Sequence, residues 1–212
     1  MDTGVEGVPA GKLRSVVTYL AMEAPPPEEP PPPPSGVAIT RWRAMPTADY
    51  LRLYHAIGDD WLWWSRLTWD EARLTAHLAE DETEVYVVEA GGEEIGLIEL
   101  NLRPAPDIEL RYFGVIPSWI GKGLGGWMLT HAIAAASQHR PRRMILNTCT
   151  YDHPGALAFY RRRGFAVTHS EVEIVDDPRL VGLIPRDAAP HVPLAGRPRA
   201  DGAGLSPVST TR

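Results

Sequence analysis

"FGVIPSWIGKGLGGWMLTHA" (residues 113–132) decides the fold. A strand-like apolar stretch ends at Val115, Pro117 follows, and glycines stand at 121, 123, 125 and 126, directly before an amphipathic helical pattern. Glycine costs backbone entropy, so four of them within six residues imply a close approach to the main chain. A glycine-rich turn between strand and helix presents free backbone N–H groups at the positive end of the helix dipole, which suits phosphate. Lys122 adds positive charge nearby. Gly121, Gly123 and Gly126 formally match the dinucleotide fingerprint G-x-G-x-x-G. That fingerprint belongs at the first turn of a parallel βαβ series, whereas three successive strand patterns precede this one. A P-loop is excluded because no Lys-Ser/Thr pair closes the motif.

Around this stretch the pattern is mixed α/β. "VAITRWR" (37–43) is a strand candidate, and residues 47–57 and 69–80 read as helices, the second capped by Thr68 or Asp70. "EVYVVEA" (84–90), "EEIGLIELNLR" (93–103) and "DIELRYFGV" (107–115) are three strands in succession. Gly91-Gly92 predicts a hairpin between the first two, and Pro104 and Pro106 break the second connection. Helix 123–139 carries an apolar stripe of Leu124, Trp127, Met128, His131 and Ala135. Strand 143–148, helix 154–163 and strand 165–174 follow.

At 212 residues and 44% hydrophobic, the chain can bury one core. Three regions are expected: 1–36, an N-terminal strand (Val16, Val17, Thr18, Tyr19) with a polyproline spacer at 24–36; a domain at 37–184; and a mostly disordered tail at 185–212. The net charge of −6 argues against nucleic acid or anionic membrane as partner and favours a cationic one. Cys149 is the single cysteine, so no internal disulfide forms, and no apolar run is long enough to span a membrane. The expected compartment is cytoplasmic. The histidines show no metal-ligand spacing, so no metal is expected.

The stretch 84–165 resembles the GNAT family of acetyl-coenzyme A-dependent N-acetyltransferases. "FGVIP" matches the family's strand end, "IGKGLG" (120–125) its loop and "HPGALAFYRRRGF" (153–165) its second block. The resemblance implies a mixed, mostly antiparallel sheet flanked by helices, with acetyl-coenzyme A as co-substrate. It places the cofactor on Phe113, Gly114 and Val115, on the loop Ile120, Gly121, Lys122, Gly123, Leu124, Gly125 and Gly126, and on His153. Two departures are visible. Ile120 stands where the family has Arg or Gln, and His153 stands where it often has Asn. His153 or Asp152 could instead cap the next helix.

Acetyl transfer needs a neutral amine, a donor for the charge on the thioester oxygen and a proton for the departing thiolate. The resemblance implies the amide of Gly114 or Val115 as that donor, with a bulge tolerated at Gly114, and Tyr160 as general acid. For the base it implies Glu109, where some members carry a glutamate, or water. Strand alternation puts Ile108, Leu110 and Tyr112 on one face and Glu109, Arg111 and Phe113 on the other. Glu99, in the apolar run "LIELNL", is the runner-up, with burial expected to raise its pKa. In "DDWLWWSRLTW" (59–69), Trp61 and Trp64 could wall an amine and Asp59 or Asp60 hold its charge. The expected partner is a small-molecule or peptide amine. A homodimer remains open, as does a non-catalytic acyl-coenzyme A-binding module.

Overall fold

The computed structural model describes residues 7–26 and 29–196. Its strands are β1 (Lys12–Glu23), β2 (Val37–Trp42), β3 (Thr83–Ala90), β4 (Glu93–Asn101), β5 (Asp107–Val115), β6 (Arg143–Cys149) and β7 (Ala166–Asp176). Its helices are α1 (Thr47–Gly58), α2 (Glu71–Ala79), α3 (Leu124–Ser137) and α4 (Ala156–Arg162). The strands form one sheet in the order β2-β3-β4-β5-β6-β1-β7. Only β5 and β6 run parallel; every other neighbouring pair is antiparallel. The expected mixed, mostly antiparallel sheet is thus present.

Local chemistry accounts for the central elements. Gly91 and Gly92 take φ of +61° and +84°, the left-handed pair that a two-residue hairpin needs between β3 and β4. Of the two cap candidates for α2, Asp70 serves: its side chain accepts from the Arg73 N–H at 2.7 Å. Thr68 instead donates to the Ser65 carbonyl. Helix α1 buries Tyr50, Leu53, Tyr54 and Ile57, spaced to share one face. Of the expected stripe, helix α3 buries Leu124, Met128 and Ala135 and leaves Trp127 and His131 half-buried, while Ala132, Ile133, Ala134 and Ala136 are buried besides. Alanine at these positions lets the helix press close to the sheet.

The first correction concerns β1. Expected within 1–36, outside the domain at 37–184, it pairs with β6 on one side and β7 on the other and so is part of that domain's sheet. The proline-rich segment therefore has to carry the chain from β1, next to the β7 edge, to the opposite β2 edge. Five inter-strand gaps of about 4.8 Å need roughly 24 Å, and residues 24–36 in polyproline conformation reach about 40 Å. Its described part has neither helix nor strand. It is tied down on the way, because Trp127 Nε1 of α3 donates to the Pro31 carbonyl at 3.0 Å.

A second correction concerns β5. Leu110 pairs with Leu100 and Tyr112 with Glu99, which leaves Arg111 without a partner. This bulge lies three residues before the expected position at Gly114. It breaks the alternation, so Leu110 and Tyr112 lie on opposite faces. Tyr112 joins Tyr54 and Trp63 on the α1–α2 side, and Phe113 meets Phe159 and Tyr160 on the α4 side.

Residues 185–196, expected to begin a disordered tail, pack instead. Ala189 and Val192 are buried with Leu13, Leu62 and Ile184 in a second small core. The buried pair Asp177–Arg179 organises the return. Arg179 donates to the carbonyls of Ala188, Ala189, Val192 and Pro193, and Asp177 accepts from the Ala195 N–H. The remainder of the expected tail, 197–212, lies outside the described residues. Among the described residues no helix is long and apolar enough to cross a membrane.

Candidate active site

Strands β5 and β6 pair only over Asp107–Glu109 and Arg143–Ile145 and then part. A cleft of about 780 Å³ runs through the gap. Its walls are the end of β5, the loop and start of α3, the β6–α4 turn, Phe159 and Tyr160 of α4, the tryptophan segment between α1 and α2, and Glu171 and Glu173 of β7. The Ile116 N–H donates back to Ile95 of β4. Strand alternation then turns the Val115 N–H to the other edge, where β6 has moved away. Of the two expected donors, Val115 is therefore the free one.

The glycines of the opening motif serve different ends. Gly121 and Gly123 take φ of +79° and +81°, and a Cβ on either would meet nothing within 4 Å. The turn they form faces open cleft. Gly123 is also the N-cap of α3 and offers no side chain, so the first N–H groups of the helix have no side-chain cap. Gly125 sits against Phe159, while a Cβ at Gly126 would stand 2.2 Å from Arg163 Nη2. Gly126 therefore accommodates the α4 end as well as lining the cleft. Lys122 is not among the lining residues; its Nζ lies over the Trp119 ring, 4.7 Å from the centroid. Ile120, Leu124 and Phe113 do line the cleft.

Tyr160 is buried and lines the cleft; its hydroxyl makes no side-chain hydrogen bond among the described residues, and it is not one of the sealed polar atoms left unpaired, which are Trp42 Nε1 and Arg66 Nε. Burial and the nearby Asp152 push its pKa above the ordinary tyrosine value, so the proton stays on. His153 lines the cleft but does not cap α4; its Nδ1 accepts from the Gly155 N–H at 3.0 Å. Its ring meets Trp61 edge-on, with centroids 5.4 Å apart, and His191 of the C-terminal segment flanks the same indole at 5.5 Å. Cys149 is no nucleophile, since burial followed by Asp152 pushes its thiol up to about 11.

The two expected bases stand elsewhere. Glu109 lies before the bulge and outside the cleft lining, and accepts from Arg111 Nη1 at 3.0 Å and Asn101 Nδ2 at 2.9 Å. Glu99 is fully buried and also outside the cleft. It accepts from Tyr50 Oη and Arg66 and lies 3.2 Å from His77 Nε2. Burial would raise its pKa, but His77, Arg66 and Tyr50 outweigh that and hold it below the usual carboxylate range. Glu99 is a structural charge, not the raised acid expected.

The tryptophans divide. Trp61 and Trp64 line the cleft as expected, and so does Trp63. Trp63 is wedged against two glycines: a Cβ on Gly58 would lie 2.6 Å from it and one on Gly114 3.4 Å. Trp69 is away from the cleft, between Arg66 and Arg73. The acidic pair does not reach the cleft, and Asp59 instead bonds His55 Nδ1 at 2.8 Å. The carboxylates that do line it are Glu171, Glu173 and Asp152. Sequence reasoning weighed Asp152 only as a cap; its signal is an acid placed between a strand end and the second motif block. Among the described residues no group of three or more His, Cys, Asp or Glu side chains is placed to hold a metal ion.

A family model described as the acetyltransferase (GNAT) family matches residues 50–165. An uncharacterised N-acetyltransferase of Methanocaldococcus jannaschii is 27% identical over 125 residues, 55% of each chain. The match thus spans about half the length of this curated relative. A GCN5-related N-acetyltransferase from Sphaerobacter thermophilus superposes with a TM-score of 0.58 at 18% identity, covering 80% of this chain and 53% of that one. Another from Kribbella flavida gives 0.51 at 19%, covering 81% and 63%. At these identities the likeness to the solved structures is one of fold.

Proposed function

The chain belongs to the acetyltransferase (GNAT) family, and from that premise we propose that it moves the acetyl group of acetyl-coenzyme A onto a primary amine. One observation carries the reading. A single cleft joins an open glycine turn and an uncapped helix start, a strand-end amide freed by the splay of β5 from β6, and a tyrosine whose hydroxyl makes no side-chain hydrogen bond among the described residues. Pyrophosphate suits the turn, where N–H groups and helix dipole act together. Arg162, also on the cleft wall, supplies positive charge for a further phosphate. The pantetheine arm runs along the parted strands. The Val115 N–H receives the charge that develops on the thioester oxygen. Tyr160 gives its proton to the sulfur as the C–S bond breaks.

The acceptor enters from the side of the tryptophan segment and β7. Glu171 and Glu173 favour an ammonium, and Trp61 and Trp64 an apolar stem. The charge argument thus passes from Asp59 and Asp60 to β7. A small-molecule or peptide amine that is cationic at neutral pH and partly apolar fits best.

Calorimetry with acetyl-coenzyme A, followed by a free-thiol assay across diamines and amino dicarboxylates, tests the proposal. Binding and turnover of a diamine are expected. Binding without turnover of any amine would favour a non-catalytic acyl-coenzyme A module, and turnover of dicarboxylates alone would overturn the acceptor class. Tyr160→Phe should lower kcat by about 10²–10⁴-fold with cofactor affinity nearly intact. A fall below about threefold removes Tyr160 as the acid.

A further inference from the structure

Asp152 is the one cleft carboxylate that neither cofactor binding nor amine recognition uses. It stands half-buried on the turn between β6 and α4 and lines the same cleft as Val115, Trp63 and Tyr160. Two donors hold one of its oxygens: Thr148 Oγ1 donates to Oδ2 at 2.7 Å and the Cys149 N–H donates to the same atom at 2.8 Å. Neither of these two bonds engages Oδ1, and the Trp63 side chain is a third donor beside the carboxylate. Glu99, Glu109, Asp107 and Asp177 are each paired with arginine. Among the described residues Asp152 has no such cation.

We propose that Asp152, through Oδ1, takes the proton from the attacking amine. The inference rests on the acetyl-transfer reading above and fills the role that Glu109 is not positioned to fill. The nitrogen lone pair of a neutral amine attacks the thioester carbon and the C–N bond forms. The proton on nitrogen passes to Asp152. The C–S bond breaks, and its electron pair leaves on sulfur, which takes the Tyr160 proton. Transfer of the proton from Asp152 to the Tyr160 oxygen restores both groups. Any additional proton of an ammonium form goes to solvent before attack.

The surroundings suit a base that must give its proton up again. Burial raises the Asp152 pKa, against hydrogen bonds from the Cys149 N–H, Thr148 and the Trp63 side chain. The titratable and charged groups that line the cleft with it include Cys149 on β6, whose thiol keeps its proton, Tyr160 on α4, His153 on the same turn, Glu171 and Glu173 of β7, Arg111 of β5 and Arg162 of α4. Arg111 pairs with Glu109, and among the described residues neither arginine forms an ion pair with Asp152 that would lock the carboxylate in its ionised form.

Asp152→Asn keeps an oxygen to accept both bonds, so the turn should persist. Its kcat should fall by about 10²–10⁴-fold, with acetyl-coenzyme A affinity within about twofold, and the acidic limb of the kcat/KM profile should vanish. Thr148→Ala keeps the carboxylate and removes a bond that favours its ionised form. It should retain turnover with the acidic limb moved to higher pH. If Asp152→Asn fails to fold, that limb shift decides alone. The proposal is overturned if Asp152→Asn keeps more than about a third of native kcat, if it keeps the native acidic limb, or if Thr148→Ala loses turnover to the same degree. Failure of the native protein to bind acetyl-coenzyme A would instead defeat the reading beneath it. Binding without turnover of any amine would defeat both.

Discussion

Alanine at position 123 separates what the glycine turn does for the fold from what it does for the ligand. Gly123 sits at φ +81°, a region that costs an L-residue about 1–2 kcal/mol. A Cβ there meets no protein atom within 4 Å, so no clash adds to that strain. Gly92, in the β3–β4 hairpin at φ +84° and equally open, is the matched control. At about 2–4 °C per kcal/mol for a chain of this size, each variant should lose about 2–8 °C in Tm. Their ligand binding should diverge. The new methyl group at 123 projects into the space assigned to the pyrophosphate, so Gly123→Ala should weaken acetyl-coenzyme A at least about tenfold, or about 1.4 kcal/mol. Gly92→Ala should change it less than about twofold. Differential scanning calorimetry and titration calorimetry on both variants give the comparison. Equal affinities at equal Tm would refute the assignment of the turn.

Two further outcomes follow from buried charges. Arg66→Met leaves the fully buried Glu99 without its arginine and should cost about 3–5 kcal/mol at pH 7, measured by urea unfolding. Because the folded-state pKa of Glu99 is lowered, its contribution is present above the unfolded value of 4.5 and is lost as pH falls through the folded value. The mutational loss should therefore shrink toward pH 4, and a pH-independent loss would contradict the ionised pair. Arg179→Ala should free the segment 185–196 from its carbonyl anchors and expose it to limited proteolysis. With His191 displaced from Trp61, acceptor KM should rise while that of acetyl-coenzyme A holds; unchanged proteolysis would refute the anchoring role.

The elements that were legible in the sequence are those whose signal is local. The Gly91-Gly92 hairpin, the period of α1 and the strand ending at Val115 each follow from residues within a few positions of one another. The joint motif 113–165 pointed to the glycine loop and Tyr160 together, and both line one cleft because the two blocks flank the parted strands. Glu109 was misjudged because alternation assumes an unbroken ladder, and one unpaired residue, Arg111, resets the faces. Glu99 looked like a raised acid because its apolar neighbours were visible and its partner Arg66, 33 positions away, was not. The packing of 185–196 depends on Asp177 and Arg179, whose partners in that segment are the Ala195 N–H for Asp177 and backbone carbonyls for Arg179, and these leave no side-chain pattern to read.

The place of β1 also has a consequence in time. Glu23 pairs with Arg143 and Lys12 with Asp176, so the earliest strand made in this sequence waits for two of the last. A ribosome adding about 5–20 residues per second takes roughly 6–24 s to pass from Glu23 to Arg143. Throughout that interval Val17, Leu20, Ala21 and Met22, all buried in the finished sheet, have no strand beside them. Closing so long a loop costs the final state little, because the penalty grows only with the logarithm of length. The burden falls on the nascent chain, which must shelter an apolar segment while about 120 further residues are made before the sheet can be completed around it.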